Sequence, residues 1–115
     1  MKLLKTREVA DQSILVIDDD ANTRDLLKKI LSEEGFDPET AVDGIDGLEK
    51  LDELILQGQG PSLIVLDILM PRMDGFQFLA AYSAKVRFGD RVPIIIFSGK
   101  DITQTCLLYT SDAAD

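Results

Sequence analysis

Histidine is absent from the 115 residues, and with it go imidazole metal ligands and histidine-based acid–base catalysis. There is a single cysteine, Cys106, which excludes an internal disulfide and a multi-cysteine zinc site. Basic residues are scarce: 12 Lys and Arg stand against 21 Asp and Glu, a net charge of −9. Such a surface repels phosphate backbones, so direct nucleic-acid binding by this segment is not expected. No apolar run approaches the ~20 residues of a membrane-spanning helix, so no membrane segment is expected either. Met1-Lys2-Leu3-Leu4-Lys5 opens in the manner of a secretory leader, but the run stops at Leu4. A secretory apolar core needs roughly 7–15 residues. Residues 1–12 therefore read as a polar leader, and the cytoplasm is the expected location. What is present suits one globular domain, with 45% hydrophobic and 29% charged residues. Its chemistry has to rest on carboxylates, hydroxyls, Lys, Arg and the backbone.

Ile14-Leu15-Val16-Ile17 and Leu63-Ile64-Val65-Leu66 are continuous, unalternating apolar runs, the pattern of strands covered on both faces. Val92 to Phe97 is a third and the most apolar. Phe36 to Val42 is a weaker strand, and Pro38 argues for a place at the sheet edge. Helical spacing separates these runs. Leu26, Leu27, Ile30 and Leu31 define a helix over 22–34, with Asp20 or Asn22 as its cap and Gly35 as its stop. Ile45, Leu48, Leu51 and Ile55 share a face over 45–57. A third helix is predicted over 76–88, with Phe76, Leu79, Ala80 and Val86 inward, and Asp101 could cap a fourth. Strands alternating with helices predict right-handed βαβ units and a parallel sheet.

In such sheets ligands bind at the carboxyl ends of the strands. The residues there are Asp18-Asp19-Asp20, Asp67 and Ser98. Clustered like charges raise one another's pKa and are kept where a cation neutralises them. An all-oxygen donor set selects a hard ion such as Mg²⁺. A carboxylate can also attack phosphorus, giving an acyl phosphate, and Ser98 could donate a hydrogen bond to a phosphoryl oxygen. Each acid taken singly has a duller explanation as a turn former or helix cap, and Asp74 reads that way.

Ile14 to Asp20, Leu63 to Gly75 (with Asp67-Ile68-Leu69-Met70-Pro71-Arg72-Met73-Asp74-Gly75) and Pro93 to Gly99 together resemble the receiver domain of bacterial two-component response regulators. The likeness runs from about Ser13 to about Thr103. It implies a flavodoxin-like, doubly wound α/β fold. It implies that Asp67 accepts a phosphoryl group from a sensor histidine kinase or phosphotransfer protein. It implies that Asp18, Asp19, Asp67 and the backbone carbonyl of Leu69 hold Mg²⁺, and that Ser98 is the switch hydroxyl. A domain of this kind promotes its own phosphotransfer and dephosphorylation, and is not an enzyme in the usual sense.

The sequence departs from that family after Thr103. A fourth helix, a fifth strand ending in Lys-Pro and a fifth helix are expected and not found, and Lys100 follows Ser98 too closely to replace the lysine. Residues 106–115 resemble the translation of a sequencing-library adaptor, so 13–105 reads as a truncated receiver with a non-native tail. Val92–Phe97 is then expected at the sheet edge, one sheet face is expected to be bare, and the chain is expected to fold poorly alone. Two other Asp-based readings fail at motif positions. A haloacid-dehalogenase-type phosphatase motif needs Thr or Val where Asn22 stands, and a calcium loop from Asp18 needs Gly and Glu where Thr23 and Lys29 stand. A pseudo-receiver, with the fold but no phosphorylation, is the first alternative, and a Mg²⁺-dependent Asp-nucleophile phosphatase stands behind it.

Overall fold

The computed structural model describes residues 12–68, 70, 73–86, 91–98 and 101–109. The elements are β1 (Ser13–Ile17), α1 (Ala21–Glu33), β2 (Asp37–Ala41), α2 (Gly44–Leu56), β3 (Leu63–Asp67), α3 (Gly75–Lys85), β4 (Pro93–Ser98) and β5 (Asp101–Tyr109). They build one sheet of order β2-β1-β3-β4-β5, in which the first four strands are parallel. This is the flavodoxin-like arrangement expected. β2, which carries Pro38, lies at one edge. No helix among the described residues is long and apolar enough to cross a membrane.

The order follows from the crossovers. β1 to β2 steps one way, while β2 to β3 and β3 to β4 step the other. With right-handed connections, α1 covers one face and α2 and α3 the other. On the second face Leu15, Ile17, Ile64, Leu66 and Ile94 pack with Leu51, Phe78, Tyr82 and Val86. Each fully buried side chain of this size contributes about 1.5–3 kcal/mol. Phe78 and Tyr82 stack with centroids 6.0 Å apart, and the Tyr82 hydroxyl accepts the Val92 N–H at 2.8 Å.

Local chemistry sets the helix ends. Asp20 caps α1 by accepting the Thr23 N–H at 3.0 Å. Gly35, at φ 96°, closes α1, with Phe36 N–H donating to Leu31 and Gly35 N–H to Ser32. Asp43 caps α2, and Asp74 and Gln77 form a capping box on α3.

Three expectations are corrected. Phe76 is 71% exposed, and the inward stripe of α3 is Phe78 and Tyr82 with Val86 beyond. The segment 76–82 is apolar almost all round, so its spacing cannot fix its phase; Tyr82 does, because its hydroxyl finds a backbone donor. Asp101 caps no helix but opens β5. Consequently Val92–Phe97 is not at the edge, because β5 pairs antiparallel with β4, from Ser98↔Asp101 to Pro93↔Tyr109. β5 begins three positions after β4 ends, too close in sequence for the crossover that a parallel pairing needs. Ile102, Thr103, Thr105 and Tyr109 favour extended backbone. β5 runs across position 106, where the sequence placed the start of a foreign tail.

Candidate functional site

Parallel pairing puts the ends of β1 and β3 side by side, with Ile17 opposite Leu66. Asp67 ends β3, and Asp18 and Asp19 follow β1 directly. One carboxylate oxygen from each of Asp18, Asp19 and Asp67 lies within 4.8 Å of the other two. Asp18 and Asp67 are buried, at 2% and 4% exposure, and Asp19 is exposed. Three of the predicted site residues are thus brought together. Asp20 is not among them: its Oδ2 accepts from the Thr23 backbone N–H and from Thr23 Oγ1 at 2.6 Å. It is the cap, and its neighbours are the cluster.

Asp18 is held at its N–H, its carbonyl and one carboxylate oxygen. Its N–H donates to Ala41 O at 3.1 Å, and its Oδ1 accepts the Asp20 N–H at 2.8 Å. Its carbonyl accepts from Arg24 Nη1, also at 2.8 Å. Burial pushes the Asp18 carboxyl above the ordinary carboxylate range, and the charges of Asp19 and Asp20 push it further. The Asp20 N–H and the Arg24 charge work in the other direction. A buried carboxylate beside two others is stabilised in its charged form by a cation, and all-oxygen donors fit a hard divalent ion.

The loop after Asp67 is shaped by close packing. A Cβ on Gly75 would lie 2.6 Å from Ile68 Cδ1 and 2.7 Å from Ile68 Cα, so α3 can start there only on glycine. The Gly75 N–H donates to Ile68 O at 2.9 Å, closing the loop on itself next to Asp67. Met73 from this loop fills the space beside Gly44 at the start of α2. Leu69, whose carbonyl the resemblance implied as a ligand, lies outside the described residues, as do Pro71, Arg72 and Lys100. Ser98 is the last residue of β4, one step past Phe97, the register partner of Asp67. Arg24 and Thr23 were not anticipated. A signal for Arg24 existed: a cation in the first turn of a helix opposes the helix dipole and needs a local reason.

The response regulator receiver domain family model matches residues 14–114. The chain belongs to that family, and so to the signal-transducing receiver domains of two-component systems. It is 34% identical over 88 residues to response regulator MprA of Mycobacterium sp. (strain KMS), covering 76% of this chain and 35% of that protein. It is 42% identical over 86 residues to protein-glutamate methylesterase/protein-glutamine glutaminase 1 of Anaeromyxobacter dehalogenans (strain 2CP-C), covering 75% and 22%. The chain thus spans about a third or less of the length of these curated relatives. Among solved structures, Vibrio cholerae chemotaxis protein CheY4 aligns with TM-score 0.63 at 29% identity, over 74% of this chain and 66% of that one. Response regulator TrrA of Thermotoga maritima, in complex with Mg²⁺–BeF, aligns with TM-score 0.62 at 33% identity, over 76% and 69%.

Proposed function

We propose that the domain accepts a phosphoryl group on Asp67 from a sensor histidine kinase or phosphotransfer protein, with Mg²⁺, and changes conformation in response. The observation that carries this reading is the meeting of Asp18, Asp19 and Asp67 within 4.8 Å at adjacent strand ends. Asp18, Asp19, Asp67 and the Leu69 carbonyl are the proposed ligands. Bound Mg²⁺ would neutralise charge on the carboxylates and on the incoming phosphoryl group. An Asp67 carboxylate oxygen attacks phosphorus in line, the phosphorus–nitrogen bond of the donor phosphohistidine breaks, and an acyl phosphate forms. The Asp18 hydrogen bonds and the Gly75 closure hold the acids in place beforehand, which is where such a reaction gains its rate. Ser98, from the neighbouring strand end, is assigned the hydroxyl that bonds a phosphoryl oxygen. The new dianion then biases two packings of the domain, and the domain acts as a switch rather than as a turnover catalyst. The cytoplasm, where such kinases present their phosphohistidine, is the assigned location.

The test is incubation with acetyl phosphate and Mg²⁺, followed by intact mass. The expected result is a gain of one phosphoryl group, absent in Asp67→Asn and absent when EDTA replaces Mg²⁺. Labelling that persists in Asp67→Asn sinks the assignment. No labelling of the parent chain favours a pseudo-receiver, and sustained turnover of a phosphomonoester favours a phosphatase.

A further inference from the structure

Arg24 occupies the fourth position after the Asp20 cap, in the first turn of α1. The positive end of the helix dipole is there, and the acids near it, Asp18 and the Asp20 cap, precede the turn rather than lie within it. The arginine is nonetheless half-buried, and its Nη1 donates to the Asp18 carbonyl at 2.8 Å. The bond reaches back six residues and ties α1 to the end of β1. Asp18 is held also through its N–H and its Oδ1. Of these three restraints, only the one from Arg24 comes from a side chain.

We propose that Arg24 is a positioning residue for the cation site: it clamps the Asp18 carbonyl and so sets the Asp18–Asp19 carboxylates to receive Mg²⁺. The inference rests on the reading that Mg²⁺ binds there. It competes with a simpler role, in which Arg24 only supplies counter-charge to the acids. The two roles differ in sign. A counter-charge repels a divalent ion, so its removal tightens Mg²⁺ binding. A clamp pre-arranges the ligands, so its removal weakens binding.

The experiment titrates Mg²⁺ alone into the full chain, followed by backbone amide chemical shifts, with thermal melts in EDTA run in parallel. Arg24→Ala is expected to raise the Mg²⁺ dissociation constant about tenfold, the low end of losses on removing partners that orient metal ligands. Arg24→Lys, which keeps the charge and one donor, is expected to recover part of that loss. If Arg24→Ala does not fold, Arg24→Met keeps the apolar stem without the donor and carries the same expectation. A folded variant with unchanged or tighter Mg²⁺ binding overturns the inference, even if its melting temperature falls. A parent chain that binds no Mg²⁺ overturns the proposed function and this inference with it. A parent that binds, beside an unchanged Arg24→Ala, overturns this inference alone.

Discussion

The two faces of the sheet are unequally covered. On the α2–α3 face, Leu15, Ile17, Ile64, Leu66 and Ile94 are buried beneath Leu51, Phe78 and Tyr82. On the α1 face the alternate residues Ile14 and Val16 are buried, but Val65 and Ile95 are half-exposed. α1 itself has no buried residue, and Leu26 and Ile30 are 54% and 44% exposed. Yet the strands are apolar on both sides: Ile14 to Ile17 and Leu63 to Leu66 do not alternate. The difference teaches that strand composition specifies two covered faces, while cover depends on which helices reach each one. Among the described residues α1 alone serves its face, and it packs on β1 and β2, away from Val65 and Ile95.

Substitutions on the two faces should therefore differ widely in effect. The largest effect is expected at Phe78, which is fully buried on the dense face. Phe78→Ala should cost about 3–5 kcal/mol in urea unfolding, a large share of the stability of a domain. A loss below about 1 kcal/mol would show that this face is loosely packed. Next comes Tyr82→Phe, which keeps the ring and its stack on Phe78 but leaves the Val92 N–H without its partner. The expected cost is about 1–2 kcal/mol, seen as a melting-temperature drop of several degrees. The smallest effect belongs to the α1 face. Leu26→Ser should change stability by no more than about 0.5 kcal/mol. It should also reduce concentration-dependent light scattering, because it removes apolar surface from the exposed side. A loss as large as that at Tyr82 would mean that the α1 face is as well covered as the other.

Much of this was legible in the residues. Unalternating runs announced strands covered on both sides, and each ended in the residues that form or border the site, at Asp18, Asp67 and Ser98. Asp74 read as a cap and is one. Pro38 read as an edge marker, and β2 is an edge. Other features were out of reach. Asp18, Asp19 and Asp20 are equivalent as letters, and only the turn into α1 makes Asp20 the cap while its two predecessors meet Asp67. The hand of the crossovers was predictable, but the direction of β5 was not, because the same strand composition serves a parallel or an antiparallel neighbour.

The sequence by itself determined the order of strands and helices as far as β4, the parallel pairing of those four strands and the acids at their carboxyl ends. These follow from short-range periodicity, capping chemistry and the right-handedness of crossovers, each written within a few residues. Only the tertiary structure decided which face of α3 is buried, that β4 is an interior strand and that Arg24 grips Asp18. Those outcomes depend on what lies opposite a side chain, and partners distant along the chain supply that answer through packing and hydrogen bonds.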